Sequence, residues 1–402
     1  MLSATKYRTE FVNALAKAGV FRSERVRQAF LNVRRHQFIH HWFMLGTSTG
    51  VPAWSPVLLD SDHPSREHLQ MIYSDQSLVT AVNGILPVGS LSQPSLVARM
   101  LDELRTEESL RILEIGTCSG YNAALLSELV SETGIVVTIE NRPEAAEDAR
   151  ETLSGEGYEN VTVLCGDGFF GAPEHQPFDR LIATAGCSDI SPHWLDQLRG
   201  GGTILIPLQH GQADYLLRVS PDEDHPDCAS GRAVGCAAFM SIEGIMAWAN
   251  PWRCLIPPTE PDVEFQRKAL PSCLPECEKG TSPLKEVRHS DFHFFLTLVC
   301  HELWHTTRSY GLADLSTGAK ATISRDGIIT SGPPARAAQE AADRLVEKLT
   351  GIIKQWEGLG SPQACDFRIR FVPKHLFHSP PFTLADTKWI IERVSHVEMV
   401  SL

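Results

Sequence analysis

RILEIGTCSGYNAALLSELV, Arg111 to Val130, sets a strand, a glycine turn and a helix in immediate succession. Ile112, Leu113 and Ile115 form a short apolar run suited to a buried parallel strand, and Tyr121 to Val130 carries helix formers with leucines at helical spacing. Gly116 and Gly120 bracket the turn, where a missing Cβ lets backbone come close to a ligand. The amides that open the following helix offer donors to an anionic or polar group. Further on, Ile135-Val-Val-Thr-Ile139 ends in Glu140, an acid at a strand tip that can accept both hydroxyls of a ribose. Val161 to Leu164 reads as a third strand, and the Gly166-Asp167-Gly168 after it presents a carboxylate to the exocyclic amine of an adenine. A nucleoside pocket at the carboxyl ends of parallel strands is the expectation.

The spacing Glu114-x-Gly116-x-x-x-Gly120 departs from G-x-G-x-x-G, which argues against a dinucleotide pyrophosphate and in favour of S-adenosylmethionine. Strand and helix signals alternate around this motif: a helix from about Pro94, LIATA at 181–185, a helix at Trp194 to Leu198, a turn at Gly200-Gly201-Gly202, and the strand TILIPL. That alternation predicts a doubly wound α/β sheet of Rossmann type. DYLLRVS at 214–220 and GCAAFMSI at 235–242 read as an antiparallel pair that closes it. Residues 5–40 read as two amphipathic helices that cap the sheet, and 53–65 as a tryptophan- and proline-rich loop.

At 402 residues the chain is too long for one ordinary core. Three regions are expected: an S-adenosylmethionine-binding domain at 1–250, a proline-rich linker at 251–285, and an α+β accessory domain at 286–402. In the last, HFFLTLVC at 293–300 is strand-like, Asp326-Gly327 marks a hairpin, and DFRIRFVP returns as a strand. Ala335 to Glu357 is a long helix with an apolar stripe at Ala338, Ala342, Leu345, Leu349, Ile352 and Trp356. A net charge of −13 disfavours a nucleic-acid partner, because phosphate binding needs a basic face. The first 21 residues lack the unbroken apolar core of a signal peptide and no run reaches transmembrane length, so a cytoplasmic protein without a membrane partner is expected. Ten scattered cysteines show no disulfide framework, and the C-x3-C of Cys273 and Cys277 has no second pair, so no metal is assigned.

Several separate segments of the first 250 residues together resemble the protein-L-isoaspartate O-methyltransferase family. Arg34-Arg-His-Gln-Phe38 is similar to its R-H-x-F segment, Tyr73-Ser-Asp75 to its Y-x-D, and Leu91-Ser92-Gln-Pro94 to its serine loop before the first core helix. EIGTCSGY resembles the cofactor loop, Gly166-Asp167-Gly168 the adenine-side turn, and the run from Gln197 to Pro207 the family's Q-L-x-x-G-G-x-x-x-x-P. The likeness spans about three fifths of the chain and resembles actinobacterial members with an extra C-terminal domain. It implies S-adenosylmethionine contacts from Glu114, Gly116, Thr117, Cys118, Ser119, Gly120, Glu140, Asn141, Asp167 and Gly168. It also implies a hydrogen bond from Ser92 near the acceptor carboxylate. The substrate it implies is an isoaspartyl or aspartyl side chain of a protein, or of a ribosomally made precursor peptide, whose methyl ester collapses to a succinimide.

Two positions depart from the family pattern: Cys118 stands where glycine is usual, which strains the loop if φ is positive there, and Ser95 follows Pro94 in place of histidine or tyrosine. Competing roles exist for two residues, since Ser92 can cap the helix from Pro94 and Asp75 can stabilise its loop. Two other functional readings stand beside the enzyme. One is a peptide-binding module that has lost catalysis. The other is a zinc peptidase through His301-Glu302-Leu303-Trp304-His305, which matches H-E-x-x-H but follows a strand-like run and lacks a third ligand.

Overall fold

A computed structural model describes residues 4–48, 51–60, 63–210, 213–247, 263–268, 287–300, 303–305, 310–314, 316–324, 327–377, 389–393 and 395–402. The chain divides into two compact units. The first comprises 1–206, 218–229 and 239–247, and the second 207–217, 230–238 and 248–402.

In the first unit the motif strand Arg111–Ile115 lies between Ile135–Glu140 and Phe178–Ala183, with Val161–Cys165 beyond the former and Leu198–His210 beyond the latter. All four pairings are parallel. The chain thus starts in the middle, fills one side, and returns to fill the other. This leaves a switch point between Arg111–Ile115 and Phe178–Ala183, where such sheets bind ligands at their carboxyl edge. The motif helix is Tyr121–Val130, as predicted, and the helices Pro94–Leu104 and Pro143–Gly155 also form.

The amino-terminal helices Ala4–Lys17 and Glu24–Asn32 have the expected apolar faces. The second packs on the motif helix, with Phe30 edge-on to Tyr121 at 6.3 Å and Asn32 Nδ2 donating to Glu128 at 2.7 Å. The proline- and tryptophan-rich stretch is a strand, Val51–Leu58, contrary to the loop expected. It pairs in full register with His41–Ser48 in a four-stranded antiparallel sheet completed by Leu78–Asn83 and Leu86–Leu91. Prolines are tolerated because this is an edge strand, whose outward N–H groups have no ladder partner. Gly200–Gly202 do not end the strand either. They sit within Leu198–His210 as an irregularity, with Phe178 opposite Leu198 but Arg180 opposite Thr203. The closing pair is shifted to Ala213–Pro221 and Ala229–Ala237, which are hydrogen-bonded neighbours.

In the second unit, Val287–Val299 is a helix where a strand was expected. Asp291 to Leu298 are all buried, and a helix enclosed on every side carries no period to tell it from a buried strand. The long helix Arg336–Gly358 buries all six residues of its predicted stripe. A five-stranded sheet runs in the order Val263–Lys268, Gly327–Gly332, Ala319–Ser324, Tyr310–Asp314, Leu303–His305. Its hairpin pairs Ser324 with Gly327, while Asp326 itself lies outside the described residues. The first of these strands falls inside the proline-rich 251–285, the rest of which lies outside the described residues. Arg368–Pro373, His396–Ser401 and Trp389–Glu392 form a further antiparallel group.

Candidate active site

Gly116 is at the switch point with φ +102°, and a Cβ there would stand 2.7 Å from Thr184 Oγ1. Thr184, just past the neighbouring strand, donates to the carbonyl of Gly116 at 2.6 Å and so fixes the turn. Gly168 is equally forced, since a Cβ would meet Ile115 Cγ2 at 2.5 Å. Gly120, with φ +82°, opens the motif helix, whose first-turn amides receive no side-chain cap.

Glu140 holds the loop from the tip of the second strand. Its carboxylate accepts from the Cys118 backbone N–H at 2.8 Å and from Arg142 Nε at 3.0 Å. Asp167 accepts from the N–H groups of Phe169 and Ile245 at 2.9 and 3.0 Å, and Asn141 at the strand tip donates to Glu243. Ser119 is half-buried beside the loop, where with Cys118 and Arg142 it lines a cavity of about 270 Å³ that also meets Phe38, His41 and Thr80. That cavity does not take in Gly116, Glu140 or Asp167, so it flanks the strand-tip site and is not identical with it.

Two of the expected cofactor contacts face inward. Glu114 is fully buried, with its oxygens taken by Asn122 Nδ2 and Thr138 Oγ1, each at 2.7 Å. Burial pushes its carboxyl up to about 7, against the pull of those two hydrogen bonds. Thr117 is buried with its hydroxyl 2.7 Å from that of Thr138. Both brace the loop from behind.

Cys118 adopts φ +48°, the left-handed conformation that the family's usual glycine takes without strain. Its thiol donates to the Ser90 carbonyl at 3.4 Å and lies 3.6 Å from Thr80 Oγ1, and burial pushes the thiol up. The cofactor loop is thereby tied to the strand that leads into Ser92.

Three of the six segments that carry the family likeness meet around Arg35, to which sequence pattern assigns no role. This buried guanidinium donates to the carbonyls of Ile72 at 3.0 Å and Ser92 at 3.1 Å, and lies 5.0 Å from the centre of the Tyr121 ring. His36 Nδ1 is 2.7 Å from the Tyr73 hydroxyl. Burial, with Arg8 and Arg34 nearby, takes the His36 imidazole down to about 4, so it is neutral at physiological pH. Asp75 accepts from the Ser95 N–H at 2.8 Å, which caps the helix Pro94–Leu104 from outside. The helix N-cap is Gln93, not Ser92. Among the described residues the Ser92 hydroxyl has no partner, so the loop is held by its backbone while this side chain stays free. Thr184 was accessible to reasoning once the switch point was drawn; Arg35 was not, because nothing separates it from Arg34 in sequence pattern.

Carboxylates at two strand tips, loop turns that exclude a Cβ, and uncapped helix amides together fit S-adenosylmethionine. They define a Rossmann-like methyltransferase core. The family model for protein-L-isoaspartate(D-aspartate) O-methyltransferase matches residues 61–237. A relative of that name from Methanopyrus kandleri is 33% identical over 247 residues, covering 59% of this chain and 95% of its own length. Another from Methanococcus aeolicus is 32% identical over 241 residues, covering 60% and 96%. A solved protein-L-isoaspartate O-methyltransferase shares the fold with TM-score 0.52 at 23% identity, over 90% of this chain and 96% of that one. The chain belongs to the protein-L-isoaspartate O-methyltransferase family and is an S-adenosylmethionine-dependent methyltransferase.

The zinc-peptidase and non-enzymatic readings find no support. Leu303–His305 is a strand paired with Tyr310–Asp314, not part of a helix, and His301 and Glu302 lie outside the described residues, as do Cys273 and Cys277. Among the described residues no group of three or more ligating side chains could hold a metal ion, and no helix is long and apolar enough to cross a membrane.

Proposed function

We propose that this methyltransferase esterifies the free α-carboxyl of an isoaspartyl residue in a polypeptide, with Ser92 as the residue that holds the acceptor. The observation that carries the assignment is the pairing of a fixed Ser92 backbone with a free Ser92 hydroxyl. A carboxylate with a reference pKa near 4 is already ionised at neutral pH, so the acceptor needs no general base and position is the main requirement. When bound, S-adenosylmethionine supplies an electrophilic methyl group. Glu140 would accept from the ribose hydroxyls and Asp167 from the adenine amine, and the loop from Gly116 to Gly120, with Ser119 and Asn141, would lie against the rest.

Once the ester has formed, methanol is a better leaving group than hydroxide, and the following backbone nitrogen closes a succinimide that water reopens. The net charge of −13 argues for a polypeptide partner over nucleic acid, and cysteines outside any disulfide, such as Cys118 and Cys165, suit a reducing cytoplasm.

Incubation of the chain with an isoaspartyl peptide and S-adenosylmethionine should add about 14 Da, followed by a net loss of about 18 Da where the imide persists, as ester formation and ring closure require. Ser92→Ala should lower kcat by roughly a hundredfold, the loss seen when one positioned donor is removed, with cofactor affinity within about twofold of wild type. A large drop in cofactor affinity would reassign Ser92, and the absence of methylation across isoaspartyl and aspartyl peptides would end the reading.

A further inference from the structure

We propose that Arg142 is a positioning residue of the methyl transfer: its guanidinium, with the Cys118 thiol beside it, fixes the strand Leu86–Leu91, and with it Ser92, against the carboxylate of Glu140. The inference rests on the acceptor reading of Ser92 and concerns what sets the distance of that hydroxyl from the methyl donor. Arg142 Nε donates to Glu140 Oε1 at 3.0 Å, which leaves the Nη1 and Nη2 end of the fork to reach further. It reaches Gly89, where a Cβ would stand 3.1 Å from both Nη atoms and 3.1 Å from the Cβ of Ala81. Gly89 has no left-handed φ, so space and not backbone conformation excludes a side chain there. The planar guanidinium thus lies against bare backbone three residues before Ser92.

A second tether runs alongside. The Cys118 N–H donates to Glu140 Oε2 at 2.8 Å, and the Cys118 thiol donates to the Ser90 carbonyl at 3.4 Å, two residues before Ser92. The neighbouring strand is shaped to meet it: Val79 pairs with Ser90 and Ala81 with Gly89, so Thr80 is the extra residue of a β-bulge. The bulge brings Thr80 Oγ1 to 3.6 Å from the thiol, and His41 Nε2 donates to the Thr80 carbonyl at 3.0 Å. Glu140 therefore meets the acceptor strand through both of its oxygens, one by way of Arg142 and the other by way of Cys118. A methyl transfer needs donor and acceptor in line, and a misplacement of about 1 Å can cost ~100-fold in rate. Arg142 acts on that geometry through the strand and not by touching the acceptor.

The test is a double-mutant cycle on Arg142→Lys and Gly89→Ala, with an isoaspartyl peptide as acceptor. Lysine keeps a cation for Glu140 but loses the fork, whereas an alanine Cβ displaces the fork from the strand by a few tenths of an ångström. Arg142 borders the cavity of about 270 Å³ beside the loop, so it has room to give way. Methylation is followed by mass with both substrates saturating, and S-adenosylhomocysteine binding by calorimetry, whose stoichiometry counts the folded sites. Each single substitution should lower kcat per site about tenfold with the affinity for S-adenosylhomocysteine unchanged, and the double variant should also fall about tenfold, because both break one contact. A fall of about a hundredfold in the double variant would mean two independent effects and overturn the proposal. So would an unchanged kcat in either single variant, or a fall matched by an equal loss of S-adenosylhomocysteine affinity, which would put Arg142 at the service of Glu140 alone. Ser92→Ala separates the two readings: full kcat there breaks the acceptor assignment while the non-additive pair still supports the tether, and a large loss there with wild-type kcat in the pair does the reverse.

Discussion

Glu114 in the first unit and Glu398 in the second are both completely buried, yet the carboxyl of Glu114 is pushed up to about 7 and that of Glu398 is held at about 2. Burial acts the same way on both, since removing water disfavours the charged form. At Glu114 the opposing donors are the neutral Asn122 amide and Thr138 hydroxyl, and they do not offset it. At Glu398 the Arg393 guanidinium donates through Nε at 2.7 Å, and His210 Nε2 lies 3.1 Å from the other oxygen. Arg393 also donates to the Gln209 carbonyl at 2.7 Å, so its charge is spread over several acceptors. The cofactor loop is therefore braced by a carboxyl near titration, while the second unit is pinned by a permanent ion pair.

The sharpest way to break that contrast is to remove one side of the pair. Glu398→Ala leaves Arg393 buried without its counter-charge and should cost about 3–5 kcal/mol in urea denaturation, with Glu398→Leu/Arg393→Met recovering most of the loss. A cost below about 1 kcal/mol would show that the pair does not carry the second unit.

The next effect is a pH dependence of opposite sign at the two sites. A folded value near 7, above the reference 4.5, means that the stability contributed by Glu114 is present below pH 4.5 and is lost as pH rises through 7. Glu398 is depressed, so its contribution is present above pH 4.5 and is lost as pH falls through 2. Glu114→Gln should therefore gain on wild type by about 3 kcal/mol between pH 4.5 and 8, from the size of the shift. Parallel stability curves across that range would place the Glu114 carboxylate in a wetter or better-paired site than the structure shows.

How much of this was legible beforehand differs between the two regions for the same physical reason. Around Gly116 the constraints are local, with glycines required by positive φ or close approach and acids at strand tips fixed by chain order, so Gly116, Glu140, Asp167 and the parallel strands could be read directly. Glu114 sits in a strand buried on both faces, where alternation does not mark an inward side, and its partner Thr138 belongs to another strand that only the register brings opposite. Arg393, Glu398 and His210 are far apart in sequence and lack a shared spacing, so no pattern could join them. Val287–Val299 carries no helical period because Asp291 to Leu298 are buried on every side, and Val51–Leu58 carries prolines, a loop signal everywhere but at an edge, where they cost no hydrogen bond.

Cys118 gives the smallest effect and the finest test of the loop that Glu114 braces. Its φ of +48° costs an L-residue about 1 kcal/mol, which Cys118→Gly removes, while the extra freedom of glycine in the unfolded chain takes back about 0.5–1 kcal/mol. The thiol contact with Ser90 is lost as well, so Cys118→Gly should lie within about 1 kcal/mol of wild type. Cys118→Ala keeps the strain and loses the same contact. Alanine should therefore be the least stable of the three, with glycine and cysteine close together above it in a thermal melt. Equal melting for alanine and glycine would mean that the loop relaxes around a Cβ at no cost, and that neutral bracing through Glu114 and Thr138 leaves it softer than the crowding at Gly116 and Gly168 implies.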